Sequence, residues 1–187
     1  MRLSENRPLA WVVLIACALG SVVGLGGAGL ARERSRVERA FYDGVEQSDA
    51  TARSSMDAYL DRAAECVQIM ASELQLYLGQ DNDTAKRMLD LLGNFGDDDG
   101  IDARYAAYTQ LQSLSDAAFN AMYAQELTDA QRVNFKRAYD DFWGCDKYVR
   151  MDPYRKMASA FNDSLSGFPA GLVADLMGVE EINSFGG

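Results

Sequence analysis

The apolar positions of this chain form one long uncharged run near the start, followed by a helical repeat. Residues Leu9–Leu30 include no charged residue and no proline. A helix of that length extends about 33 Å, close to the roughly 30 Å hydrocarbon core of a bilayer. The run therefore predicts a single N-terminal transmembrane helix, residues 9–31, after a short N-terminal tail, residues 1–8.

Beyond the run, apolar or small residues recur from Val37 to Tyr77 about every 3.6 positions, the period of one helix face. This pattern predicts one long amphipathic helix that continues from the membrane helix as a stalk. Gly44 and the Ser48-Asp49 pair are candidate bends, and the Gly-rich end of the membrane run is a candidate break. Gly79 and the polar residues after it end the helix.

The rest of the chain predicts several shorter helices with recognisable starts. Asp83 is the expected cap of a helix at Thr84–Phe95, and a third helix is expected from Ile101 to Gln125. Thr128 and Gln131 have the spacing of a capping box. Asp152-Pro153 opens the last main helix. No alternation of period two is present, so the fold class is all-α, an antiparallel helical bundle with a long first helix, residues 32–187.

Three short segments fall between or after these helices. Residues 96–102 form an acidic loop that lacks the spacing of a calcium-binding EF-hand, and residues 179–187 form a flexible tail. Pro169 forbids a continuous helix, so the chain bends there and a short apolar turn, Ala170–Met177, follows. We expect Phe168, Leu172 and Leu176 to fold back onto the bundle.

The N-terminal run has alternatives to an uncleaved anchor. Gly29-Leu30-Ala31 is a candidate signal-peptidase site, and the residues before Cys17 resemble a lipobox in which that cysteine would be acylated. Small residues recur every fourth position in the run, the pattern by which membrane helices approach each other and a homo-oligomer can form. This packing face consists of Ala16, Gly20, Gly24 and Ala28.

Charge and composition narrow the function classes. The first 39 residues have six Arg and three acidic residues, whereas the rest has 12 basic and 25 acidic residues. Because the domain is strongly acidic, it repels the phosphates of nucleic acid, and we expect no nucleic-acid partner. The four Arg between residues 32 and 39 outnumber Arg2 and Arg7, which favours a cytoplasmic bundle with the N-terminus outside.

The chain contains no His, which removes the commonest general base and metal ligand. Cys66 and Cys145 are interpreted as buried thiols rather than a disulfide. Adjacent acids such as Asp140 and Asp141 point in different directions on a helix and cannot share a proton or a metal. We therefore expect no catalytic residues, no metal and no cofactor.

The C-terminal part contains the pair Phe161-Asn162, then Phe168-Pro169, and later Ala174 and Gly178. This order resembles the closing signature of the LemA family, which has a Tyr-Asn pair followed by a Phe-Pro pair. Phe161 stands where that family usually has Tyr, so the chain resembles a divergent member. The resemblance implies a membrane-anchored antiparallel helical domain of unsettled biochemical role, and no enzyme. The matching residues include Phe161, Asn162, Phe168, Pro169, Ala174 and Gly178.

Three functions from different classes follow. The first is a membrane-anchored scaffold or interaction protein whose partners are the lipid bilayer and other membrane or envelope proteins. The second is an extracytoplasmic bundle that senses a ligand between its helices. The third is a hydrolase using carboxylates alone, which would need two acids from different helices in one apolar cleft.

Overall fold

The computed structural model describes residues 7–45, 54–93, 95–96 and 100–185, and over these ranges the chain is all-helical, with seven helices and no strand. The all-α class is confirmed. The helices are α1 (Arg7–Asp43), α2 (Met56–Leu78), α3 (Asp83–Gly93), α4 (Gly100–Tyr123), α5 (Asp129–Met151), α6 (Pro153–Leu165) and α7 (Ala170–Met177).

The predicted single helix from Val37 to Tyr77 is wrong. Helix α1 ends at Asp43, and Gly44 follows with φ of 79°, a left-handed conformation that glycine adopts without strain. Helix α2 begins at Met56, where the Ser55 side chain accepts a hydrogen bond from the Ala58 amide at 3.1 Å. The apolar period runs through this break unchanged, so the period alone could not reveal it. The other candidate bend, Ser48-Asp49, lies outside the described residues.

Several predicted helix ends are confirmed. Helix α2 ends before Gly79, whose φ is 98°. Helix α5 starts with the capping box of Thr128 and Gln131, and α6 starts at Pro153. The cap of α3 is corrected by one position, because Asn82, not Asp83, accepts the hydrogen bond from the Ala85 amide.

Contacts divide the chain into two units. The first comprises the described parts of Met1–Arg39 and Met157–Ile182, and the second those of Ala40–Lys156 and Asn183–Gly187. In the second unit α2 and α5 run antiparallel, since Tyr59 stacks on Tyr148 near one end while Asn134 contacts Glu73 near the other. Its core is formed mainly by buried apolar residues of α2, α4 and α5.

The predicted packing of the Phe-Pro element is wrong. Phe168 is 90 % exposed, and Leu172 and Leu176 are exposed as well, whereas Val173 and Ala174 are the buried residues of α7. The buried side of α7 is therefore the one with Val173 and Ala174, and not the one with Leu172 and Leu176.

The segment predicted as a flexible tail is packed at Ile182–Phe185, whereas Glu180 and Glu181 are exposed. Ile182 and Phe185 are buried, and both the amide and the carbonyl of Ile182 bond to the side chain of Asn162. Of the predicted acidic loop, residues 97–99 lie outside the described residues, and α4 already begins at Gly100. When the described residues are searched, none of the helices is long and apolar enough to cross a membrane.

Candidate functional site

A buried carboxylate lies on the apolar side of α5. Asp146 is only 5 % exposed and occupies a position of the stripe that also contains Phe142 and Val149. A carboxylate in such surroundings is strongly destabilised unless hydrogen bonds replace its lost hydration.

Three donors supply those bonds. The Tyr108 hydroxyl and the Gln112 amide, one turn apart on α4, donate to Asp146 Oδ1 at 2.9 and 2.6 Å. Arg150, one turn along α5, donates from Nε to Oδ2 at 2.5 Å. Burial, together with the Asp146 charge, raises the pKa of Tyr108 above its ordinary value, so the phenol stays protonated and acts as a donor.

A cavity of about 160 Å³ opens beside this cluster. Because one water takes up about 30 Å³ of liquid, the space fits a few waters or one small organic ion. Its walls come from α4, α5, α6 and the C-terminal segment. The lining residues are Tyr105, Tyr108, Thr109, Gln112, Asp146, Val149, Arg150, Arg155 and Phe185.

The charges around the cavity favour a small anion or a polar molecule. Two guanidinium groups, Arg150 and Arg155, face one carboxylate. Arg155 is held by bonds to two carbonyl oxygens, from Nε to Ser184 at 3.3 Å and from Nη1 to Arg150 at 2.7 Å. Asp146 already accepts three hydrogen bonds, which disfavours a role as a general base, and this cavity has no second carboxylate for hydrolysis.

A second charged cluster joins α4 to α2. Arg104, fully buried, bonds to Asp57 through Nη1 and to Asp61 through Nη2, the latter at 2.5 Å. Its guanidinium also lies 5.0 Å from the centre of the Phe95 ring. Asp57 and Asp61 are one turn apart on α2, so both carboxylates reach the same cation. This arrangement fastens α4 to α2 and lies outside the lining of the Asp146 cavity.

The six signature residues all lie in the first unit. Phe161 and Ala174 are buried, Asn162 binds Ile182 and Gly178 ends α7 with φ of 64°. Phe168 and Pro169 are exposed in the turn before α7. These residues organise the C-terminal segment, and none of them lines the cavity beside Asp146.

The predicted packing face of the uncharged run is open at the three members whose surroundings are described. Gly20 and Gly24 have nothing within 4 Å of where a Cβ would be, and Ala28 is exposed. The Ala16 side chain lies outside the described residues. Contacts form instead at Gly26 and Gly27, which lie against Val173 and Met177 of α7.

The cysteines are free thiols. Burial raises the pKa of the Cys66 thiol to about 11, and a nearby Cys145, whose own pKa burial also raises, adds to the effect. Thiols of this kind are poor nucleophiles. Within the described ranges, no group of three or more Cys, Asp or Glu is placed to hold a metal ion.

Comparison with protein-family models, with curated proteins and with solved structures finds no match to this chain. The site must therefore be interpreted from its own residues.

The Asp146 cluster was missed by sequence reasoning, although one signal was present. Asp146 and Arg104 each occupy a position on the apolar stripe of their helix. A charged residue at a core position has to find a partner on another helix, and that partner cannot be read from the period.

Proposed function

We propose that this chain is a single-pass membrane protein whose helical bundle acts as a scaffold or binds other membrane or envelope proteins, without catalysis. The observation that carries the proposal is the sequence of the uncharged run Leu9–Leu30, together with the arginines that follow it. The finding that no helix is long and apolar enough to cross a membrane covers only the described residues, and many side chains of this run, such as those of Val12 and Ile15, lie outside them. The LemA-like C-terminal signature supports the same assignment.

Exposed side chains in α1 agree with a lipid environment. Trp11, Leu14 and Leu25 are all exposed, and apolar residues grouped on one surface mark a partner or a membrane. Arg32, Arg36 and Arg39 are also exposed, directly after the run, where they can meet anionic headgroups.

Alkaline carbonate extraction of membranes tests the anchor. We expect the full chain to stay in the membrane pellet, and the double variant Leu14→Arg, Leu19→Arg to move to the supernatant. Each arginine near the centre of a membrane helix disfavours insertion by about 2.5–3.5 kcal/mol.

The matched control is Ile69→Arg with Val133→Arg, two exposed apolar residues of the bundle, and this variant should stay in the pellet. An unaltered chain that washes off, or that is recovered beginning at Arg32, contradicts the proposal.

The Asp146 cavity favours a second candidate function, an extracytoplasmic bundle that senses a small anion. The cavity joins four separate segments, so an occupant contacting Arg150 and Arg155 would couple α5, α6 and the C-terminal segment. This function requires the bundle to lie outside the cytoplasm, and the orientation of the chain therefore separates the two candidates.

A further inference from the structure

Helix α7 is apolar on nearly every side. Among its eight residues, Ala170–Met177, Asp175 is the only charged one. Helices that are apolar all round are normally enclosed, either in a protein core or in a membrane. Helix α7 is enclosed on one side only.

The covered side of α7 lies against the uncharged run of α1. A Cβ at Gly26 would be 3.4 Å from Val173 Cγ2, and one at Gly27 would overlap Met177 Sδ. The absence of side chains at both glycines lets α7 approach the α1 backbone closely. Arg34 strengthens the contact by donating to the Glu180 carbonyl at 3.1 Å.

The other side of α7 is exposed and is apolar except for Asp175, which lies one turn after Leu172. Phe168, Leu172 and Leu176 follow one another at intervals of four residues, with Phe168 in the turn that precedes the helix. Phe168 is 90 % exposed and Leu176 is 64 % exposed. An apolar stripe of this kind in water is unfavourable and requires a cover.

The position of α7 along α1 indicates what that cover is. Gly26 and Gly27 lie three or four residues before Leu30, so α7 contacts α1 about 5 Å inside the end of the uncharged run. Amphipathic helices that lie on a bilayer bury their apolar face about 5–10 Å into the boundary between headgroups and acyl chains. The exposed Arg32 and Arg36, just beyond the run, complement anionic headgroups.

We propose that α7 and Phe168 form a second membrane contact, lying in the bilayer interface beside α1 with Phe168, Leu172 and Leu176 in contact with lipid. This inference rests on the proposed membrane anchor. It assigns the Phe-Pro element a role in lipid contact, and the occupant of the exposed stripe is the lipid itself.

Tryptophan quenching in vesicles tests the inference on the full chain. The vesicles contain phosphatidylcholine with some phosphatidylglycerol, and the quencher is a lipid brominated near the headgroup end of its acyl chain. Phe168→Trp is made in a background with Trp11→Phe and Trp143→Phe, and Leu176→Trp gives an independent second reporter. We expect each reporter to lose about half of its emission.

Two matched proteins complete the experiment. Val133→Trp in the same background is an exposed apolar position between Arg132 and Asn134, and it should not be quenched. The Trp143→Phe variant, which retains Trp11, reports on the anchor alone. Circular dichroism checks that every variant keeps its helix content.

Each outcome separates the inference from the anchor. Quenching at 168 or 176, with none at 133, supports the lipid contact. Quenching of Trp11 without quenching at 168 and 176 overturns the inference and leaves the anchor standing. If the lipid quenches neither Trp11 nor the reporters at 168 and 176, both the lipid contact of α7 and the membrane anchor are overturned. A blue shift at 168 that bromolipid does not quench, and that dilution in lipid reverses, assigns the stripe to a second copy of the chain and also overturns the inference.

Discussion

At the scale of single residues, the buried carboxylate of Asp146 is held by three hydrogen bonds. It accepts hydrogen bonds from Tyr108, Gln112 and Arg150. Only Tyr108 among these donors is itself buried, at 3 % exposure. The Tyr108 hydroxyl therefore stabilises Asp146 where water has the least access.

We expect Tyr108→Phe to lower the free energy of unfolding by about 1–2 kcal/mol at pH 7, because Asp146 loses a buried donor. The surface variant Tyr139→Phe is the control, since its hydroxyl bonds to the exposed Asp116, and the loss there should be below about 0.5 kcal/mol. Urea unfolding measures both. If both variants lost the same free energy of unfolding, the buried hydrogen bond from Tyr108 to Asp146 would be no more important than the exposed one from Tyr139.

The same tyrosine gives a pH dependence with a definite sign. The pKa of Tyr108 is raised in the folded state, so above its ordinary value of 10.0 the folded chain retains a proton that the unfolded chain has lost. The free energy of unfolding should then fall as the pH rises above about 10. The free energy of unfolding should fall more steeply with pH in the wild type than in Tyr108→Phe. The variant should still lose some stability, because Cys66 and Tyr139 also have raised pKa values.

At the scale of helices, the sequence predicts starts better than interruptions. The capping box of Thr128 and the Asp152-Pro153 start are local, since the cap and its amide are at most three residues apart. The end of α1 lies at Gly44, which the sequence indicated only as a bend, whereas the start of α2 at the Ser55 cap was not anticipated. Local signals are therefore visible in the sequence, whereas the choice between one helix and two depends on tertiary packing.

We expect Thr128→Ala to lower the free energy of unfolding by about 1 kcal/mol, because the cap of α5 is lost. The control is Ser72→Ala, which removes an exposed hydroxyl bonded to the Gln68 carbonyl inside α2. Alanine is the best helix former, so the control should be neutral or slightly more stable. Thermal or urea unfolding measures both, and an unchanged Thr128→Ala variant would show that the cap is unimportant.

At the scale of the whole molecule, the all-α class followed from the helical period, but the two most informative contacts did not. Tyr108 meets Asp146 across 38 positions of sequence, and Gly27 lies against Met177, which is far more distant in the chain. Hydrophobic periodicity identifies which side of a helix is apolar without identifying what covers it. This explains why Phe168 and Leu176 were expected inside the bundle.

The orientation of the chain decides between the two candidate functions. Arg32, Arg34, Arg36 and Arg39 follow the uncharged run and outnumber the two arginines before it, and basic flanks stay in the cytoplasm. We expect the bundle to be cytoplasmic and the N-terminus to be outside. A cytoplasmic bundle meets cytoplasmic partners and suits a scaffold, whereas an external one places the Asp146 cavity where extracellular anions can reach it.

Labelling of single cysteines with a membrane-impermeant maleimide measures this orientation in intact cells. The background replaces Cys17 with Ser and both Cys66 and Cys145 with Ala, and one new thiol is added by Ser72→Cys on the exposed side of α2 or by Ser4→Cys in the N-terminal tail. We expect the Ser4→Cys protein to be labelled at once and the Ser72→Cys protein only after lysis. The reverse pattern would contradict the positive-inside argument and favour the sensing function, and labelling of both without lysis would mean that the run does not cross the membrane.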